Sequence, residues 1–208
     1  DGKTGTVSLW LNLNGGDGAH QVLLSSYNAS GFYVRRANSD KFEVFGTVGG
    51  STKLNIFSIS TYTASSTWLH LIIYWDMANS SNRHLYVNDA DELSVTTYVD
   101  SVIDYTLGDF GVGGLLPQTS GGQKVNGCLS EVWFDDSYID LSVEANRRKF
   151  ITSGGKPVDL GSDGSTPTGT SPLIYLPNPF GTFETNAGTG GDFVVTGALT
   201  ACASSPSD

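Results

Sequence analysis

Three carboxylates stand close together in the segment NGCLSEVWFDDSYIDLSVEANRRKF, which begins at Asn126: Glu131, Asp135 and Asp136. Glycoside cleavage requires two facing acids, about 5–5.5 Å apart in a retaining enzyme and about 6.5–9.5 Å in an inverting one. The apolar residues among them predict a strand, where residues two apart share a face about 7 Å from one another. The position two beyond Glu131 is Trp133, not an acid. Asp135 shares the Glu131 face but lies roughly 13–14 Å away along a straight strand, and Asp136 points to the other face. Only a bulge would bring the acids together. The spacing therefore favours Glu131 as a structural carboxylate near a helix or loop, with Asp135 and Asp136 as turn formers.

Other constellations are thinner. His20, His70 and His84 are the only histidines. His70 and His84 are expected to be cross-strand neighbours if their strands pair, but two histidines without a third ligand make a poor zinc site. No GxSxG elbow marks a nucleophilic serine. GDFGVGG, from Gly108, is not followed by a helix and so lacks the setting of a phosphate loop. An aromatic face can pack on the C–H face of a sugar ring while polar neighbours bond its hydroxyls. Tyr27, Tyr62, Tyr98, Tyr138 and Phe180 fall near expected strand ends and are the candidates for that role, whereas Trp10, Trp68 and Trp133 are assigned to the core.

The elements that must position these residues are mostly strands. TVSLWLNL alternates Val7, Leu9, Leu11 and Leu13 on one face, with Trp10 on the other. HQVLLSSY, GFYVRRA, KFEVFGTV and KLNIFSIST follow, separated by glycine-rich turns. WLHLIIYWD, from Trp68, is apolar on both faces and belongs in the middle of a sheet. RHLYVND ends in Asn88-Asp89, a pair suited to a tight hairpin turn. CLSEVWF is a strand, and DLSVEANRRKFI reads as the one helix, with Asp140 or Ser142 as N-cap and Gly154-Gly155 as its stop. Residues 152–172 read as a long Gly/Ser/Thr/Pro-rich loop, PLIYL and DFVVTGAL as two further strands, and 201–208 as a flexible tail. A dozen short strands at this spacing predict an all-β sandwich of one domain over 1–208.

Bulk properties narrow the function. Charged residues make up 15% of the chain, well under the usual share of about 25%. With 11 Lys+Arg against 21 Asp+Glu the formal charge is −10, which disfavours nucleic-acid binding through phosphates. No apolar run is long enough to cross a membrane as a helix. Cys128 and Cys202 are the only cysteines, and the sequence leaves open whether they pair or stay reduced. The chain opens DGKTGTVSLW without a Met, as expected of a processed product or a piece of a longer chain.

Five of these segments, in this order, resemble laminin-G-like domains of the concanavalin A-like lectin/glucanase superfamily: TVSLWLNL, GFYV, WLHLIIYWD, RHLYVND and the segment from Asn126. Trp68 and Asp76 stand at the ends of a "WHHVAVTYDG"-like strand, with Trp75 where the motif has a structural Tyr. Leu85 to Asn88 match "LYVN", and Gly127, Glu131, Leu141 and Ser142 match the "GxIDEVRIYNRALS" closing motif. The likeness covers roughly residues 6–151 and implies a concanavalin A-like jelly-roll β-sandwich with one short helix. It lacks the further strand that usually precedes TVSLW.

The resemblance also carries functional expectations. Related glucanases have an ExDxxE-type strand, which this chain does not reproduce, so a polysaccharide hydrolase is the third expectation. Laminin-G-like and pentraxin-like domains often hold calcium at the rim, and calcium takes six to eight oxygens. Asp17, Asp76, Asn79, Asn88, Asp89 and Asp91 are the candidate ligands, although no DxDxDG loop is present and no cofactor is required. The Gly/Ser/Thr-rich extension resembles modules at the ends of bacteriophage virion proteins. That likeness implies a non-catalytic recognition or adhesion module on a virion surface, or alternatively a secreted one, which binds glycan or another surface polymer. The alternative is a structural decoration or assembly domain that contacts other virion subunits. Homo-oligomers would form through a longer parent chain.

Overall fold

A computed structural model describes residues 2–27, 31–105, 110–115 and 123–208, apart from the Tyr27 side chain. The strands are β1 (Thr4–Leu13), β2 (Gln21–Tyr27), β3 (Gly31–Arg36), β4 (Phe42–Val48), β5 (Ser51–Ser58), β6 (Trp68–Asp76), β7 (Arg83–Val87), β8 (Ala90–Asp91), β9 (Leu93–Tyr98), β10 (Phe110–Val112), β11 (Gly127–Asp135) and β12 (Ile174–Leu176). They form two six-stranded antiparallel sheets, in the orders β12-β11-β1-β6-β7-β8 and β10-β2-β3-β4-β5-β9. This is the all-β jelly-roll sandwich expected from the alternation.

The core lies between the sheets. Strand β1 pairs with both β6 and β11, so both of its edges are hydrogen-bonded within the sheet. Val7, Leu9, Leu11 and Leu13 meet Phe32, Val34, Val44 and Ile56 of the second sheet in one buried cluster, with Trp75 among them. The Trp75 indole donates to the Tyr105 hydroxyl at 2.6 Å, which satisfies both polar atoms inside the core. The Asn88-Asp89 turn forms as expected, with both φ angles positive (49° and 66°), a region that Asn and Asp tolerate.

A second cluster covers the outward face of the first sheet. Ile72, Tyr74, Tyr86, Trp133 and Tyr175 project from the strands and meet Ile139, Leu141, Phe150 and Leu160 from the chain beyond β11. The Trp133 indole donates to the Gly164 carbonyl at 2.9 Å. Gly164 has φ +75° and passes so close to Tyr175 that a Cβ there would lie 2.8 Å from the ring. Only glycine fits both demands.

Several expectations are corrected. The helix α1 (Glu144–Arg147) is a single turn that starts after Val143, and its N-cap makes no side-chain bond. Asp140 instead accepts the Ser142 amide at 3.0 Å and shapes the preceding turn. DFVVTGAL is not a strand. Beside β12 the Tyr175 amide donates to the Asn186 side chain at 2.8 Å, so an amide group does the work of a neighbouring strand. His84 lies opposite Tyr74, so His70 and His84 do not face each other. Trp68 is only partly buried, and its indole donates to Ser204 at 3.0 Å. That bond, the Cys128–Cys202 disulfide and the buried Pro206 hold down a tail that the composition suggested would fray.

Candidate functional site

The acids in and just after β11 each have a partner close by. β11 does carry a bulge: the register with β1 shifts between Ser8 and Trp10, and Glu131 sits at φ +50°. The bulge turns Glu131 toward Tyr175, whose hydroxyl donates to Oε2 at 2.8 Å. Burial pushes its carboxyl above the ordinary value, with Asp159 adding to the shift and the Tyr175 bond opposing it. Asp135 accepts from the Ser137 hydroxyl and from the Leu173 amide. The Asp136 carbonyl accepts from the Thr4 hydroxyl at 2.7 Å. The acids therefore tie β11 to its surroundings, the structural role expected for Glu131. Ser8 and His70 form a second nucleophile-like pair, Oγ to Nε2 at 2.9 Å, but both are buried. Burial holds His70 down at about 3, too weak a base to activate a hydroxyl at neutral pH.

The six candidate calcium ligands divide among three places. Asp17 accepts from Arg36 at 2.7 Å and from the Ala64 amide at 3.0 Å, and the Arg36 bond holds its carboxyl low. Asp76 and Asn79 share the β6–β7 loop, where they accept from Ala78, Asn82 and Ser81. Asn88, Asp89 and Asp91 share the β7–β8 hairpin. Asn88 accepts the His70 amide, and Asp91 accepts the Leu93 amide. Asp89 takes the Arg147 and Arg148 guanidinium groups at 2.5 and 2.6 Å. Its partial burial opposes ionisation, but the arginines outweigh it and keep the carboxyl below its usual range. Among the described residues no group of three or more His, Cys, Asp or Glu side chains converges as a metal site. These oxygens already have protein donors and do not fit a cage of six to eight ligands.

The rim tyrosines act as struts. Tyr62 stacks on Phe42 at 4.8 Å. The Tyr98 hydroxyl accepts the Asp76 amide at 2.9 Å, and the Arg83 guanidinium lies over its ring. Tyr138 meets Tyr74 edge-on at 5.2 Å. Tyr27 ends β2, but its side chain lies outside the described residues. Phe180 is 57% exposed beside a groove of about 1320 Å³ that also touches Phe110, Leu129, Glu131, Phe134 and Phe193, between the sandwich and its C-terminal segment.

The arrangement best suited to a ligand was not among the sequence candidates. On the outward face of the second sheet Tyr33 pairs with Phe45, which pairs with Asn55. The neighbouring row is Arg35, Glu43 and Phe57. The Tyr33 and Phe45 rings stack at 4.9 Å with 14° between their planes. Arg35 lies over the Tyr33 ring at 4.7 Å and ion-pairs with Glu43, which also accepts from Asn55 at 3.3 Å. Tyr33, Phe45, Asn55 and Phe57 are all partly exposed. Among the described residues no strand or helix packs over them. At the margin of this face the Ser25 hydroxyl donates to the Gly114 carbonyl. The signal was available in GFYVRR and FEVFGTV, whose outward-parity positions hold aromatics where a solvated strand usually carries polar residues.

Comparison with known proteins matches residues 1–139 to a laminin G family model described as the concanavalin A-like lectin/glucanases superfamily. No curated protein matches the chain. Among solved structures, a Bacteroides ovatus protein assigned provisionally to carbohydrate binding is 18% identical with a TM-score of 0.55. The alignment covers 78% of this chain but 43% of that one, so the chain spans less than half of that protein's length. The carbohydrate-binding module CBM40 of a Ruminococcus gnavus IT-sialidase, bound to α2,3-sialyllactose, is 14% identical with a TM-score of 0.52, over 69% of this chain and 82% of that one. At these identities the likeness establishes the fold.

Proposed function

Because the chain belongs to the concanavalin A-like lectin/glucanases superfamily, we propose that it is a non-catalytic recognition module that binds glycan on the outward face of its second sheet. The observation that carries this reading is the stacked Tyr33–Phe45 pair beside the Arg35–Glu43–Asn55 network. Sugar rings offer apolar C–H faces to such a platform, and their hydroxyls meet the polar groups beside it. Stacking holds the side chains in place before binding, which lowers the ordering cost. The Bacteroides ovatus protein described as carbohydrate-binding and the sialyllactose-bound CBM40 support the same class of ligand.

The setting is a surface exposed to the outside. A disulfide between Cys128 and Cys202 persists in oxidising surroundings. Among the described residues no helix is long and apolar enough to cross a membrane. Within that setting we place the module on a bacteriophage virion protein, where it would engage a glycan or another surface polymer. A second reading, decoration or assembly on the particle, is favoured by the exposed apolar side chains Phe180, Val194, Val195 and Leu199 of the C-terminal segment.

A glycan array probed with the whole chain, with and without chelator, tests the first reading. Binding that disappears in Tyr33→Ala and Phe45→Ala supports it, and silence in both conditions removes it. Concentration-dependent self-association, measured by light scattering and lost on replacing Val194 and Leu199 with Ser, supports the second. Reducing-sugar release from β-glucans that vanishes in Glu131→Gln would restore the hydrolase reading.

A further inference from the structure

Resting on the reading that this face takes a glycan, we infer that its ligand is anionic, a polymer of sugars bearing carboxylate or sulfate groups. The argument comes from where the cations are and what neutralises them. The chain has 11 Lys+Arg residues against 21 acids. Most of the cations are already engaged. Lys3 meets Asp100, Arg36 meets Asp17 and Asp40, and Arg147 and Arg148 share Asp89. Lys149 and Lys156 donate to backbone carbonyls.

Lys41 and Lys53 form no ion pair among the described residues, and both flank the aromatic platform. Lys41 lies two positions before Glu43, immediately ahead of β4, with its carbonyl bonded to the Ala37 amide. Lys53 lies two positions before Asn55 on β5, where the register with β4 shifts beside Thr47. Strand alternation gives both the outward parity of Tyr33, Phe45 and Phe57. The one acid in the two central rows is Glu43, and its side chain is only 3% exposed beneath Arg35 and Asn55. The platform thus sets three cations, Arg35, Lys41 and Lys53, against one enclosed carboxylate, on a molecule whose formal charge is −10.

A neutral sugar has no use for that arrangement, because stacking and hydroxyl bonding need no net charge. An anionic chain does. The net negative charge of the molecule disfavours it, and a cationic face with an aromatic floor attracts it. The Arg35–Glu43 pair fixes the guanidinium over Tyr33, so the two lysines supply the charge free to meet a ligand.

The test uses the whole chain and matched polymers. Affinity is measured for polygalacturonate against its fully methyl-esterified form, and for dextran sulfate against dextran. The anionic member of at least one pair is expected to bind about tenfold more tightly at low salt, an advantage that shrinks several-fold near 0.3 M salt. The Lys41→Ala/Lys53→Ala double variant is expected to lose about tenfold for the anionic polymer while its melting temperature stays unchanged. Lys124→Ala removes an equally unpaired lysine that lies on neither β4 nor β5, beside Gly114, and should change nothing. Phe45→Ala should abolish binding of either kind. Equal affinity for charged and neutral partners, lost in Phe45→Ala, overturns the anionic class and leaves the glycan reading intact. Loss in Lys124→Ala as large as in the double variant overturns it too, because the attraction is then diffuse. Absence of binding to all four polymers overturns the anionic class, and silence on a broad glycan array as well overturns the reading beneath it.

Discussion

The two outward faces of this sandwich begin alike and end differently. Each presents large aromatics at alternate strand positions: Tyr74, Tyr86 and Trp133 on the first sheet, Tyr33, Phe45 and Phe57 on the second. On the first sheet the chain beyond β11 folds back and seals them, leaving Trp133 at 0% and Tyr86 at 6% exposure. On the second sheet no strand or helix of the described residues returns, and the aromatics stay half open. Burying an aromatic side chain on folding yields roughly 2–3 kcal/mol, so the first face stores stability. The second face leaves part of its aromatic surface in contact with water, where it is available to a ligand. The same strand chemistry therefore serves stability or recognition according to whether the chain supplies its own cover.

The sharpest way to break this contrast is to empty the covered face. Trp133→Ala removes a ring that packs edge-on against Phe150 at 5.3 Å and leaves the Gly164 carbonyl without its donor. The expected loss is about 3–5 kcal/mol, which lowers the melting temperature by about 10 °C or more. Differential scanning calorimetry reads this directly. A loss near zero would mean the covering segment contributes little, and the distinction between the faces would fail.

Acid tests the covered face from a second direction. His70 packs at a tilt against Trp10, with ring centroids 4.8 Å apart, and is fully buried in its neutral form. Burial lowers its pKa from 6.5 to about 3, so between those values the unfolded chain binds the proton that the folded chain excludes. The neutral form's contribution is therefore complete above about pH 6.5 and is lost progressively as pH falls toward 3, up to roughly 5 kcal/mol. Urea unfolding across that range in the wild type and in His70→Gln should show a steeper acid slope in the wild type. Glu131 works in the opposite sense. Its raised pKa makes the protonated form the favoured one in the fold, so its contribution is present at low pH and fades as pH rises through the folded value.

Much of the fold was legible because strand alternation is local. The inward parity of Val7, Leu9, Leu11 and Leu13, the doubly buried β6 and the Asn88-Asp89 turn all follow from neighbours within one segment. What covers the first sheet was not legible. Ile139, Leu141, Phe150 and Leu160 read as helix and loop residues, and only the tertiary path brings them onto Trp133. The end of the chain misled for a related reason, since DFVVTGAL has strand propensity but Asn186 already satisfies the β12 edge. The platform was missed because Tyr33 and Phe45 lie far apart in sequence and meet only through the β3–β4 register. Tyr62, Tyr98 and Tyr138, the candidates at strand ends, make contacts within the protein instead.

The disulfide sharpens the comparison with a smaller effect. It ties β11 to the C-terminal segment across 74 residues, and a cross-link closing a loop of that length limits the unfolded chain by up to about 4 kcal/mol. Engineered and native bridges commonly deliver less, so Cys128→Ser/Cys202→Ser is expected to cost about 2–3 kcal/mol in chemical unfolding. Glycan affinity should not move, because Cys128 lies on the first sheet and the platform on the second. A parallel fall in affinity would place the ligand in the groove beneath the C-terminal segment instead.

The smallest stability effect belongs to the open face, and it is the most informative. Phe45→Ala removes a ring that touches Tyr33 on one side and water on the other. The ring is only partly buried, so truncation forfeits less than it would for a core ring, and about 1 kcal/mol of stability is expected to go. If the face binds glycan, the same substitution should weaken binding by at least tenfold, about 1.4 kcal/mol, because a central aromatic anchor carries a disproportionate share of affinity. The ratio of the two effects is the discriminating quantity. On Trp133 a large stability loss should come with unchanged affinity in the fraction that remains folded. On Phe45 affinity should fall while the melting curve barely shifts. A substitution that moved stability and affinity together at both positions would mean that the two faces are one cooperative unit. The bareness of the second sheet would then be an accident of its loops and not a site.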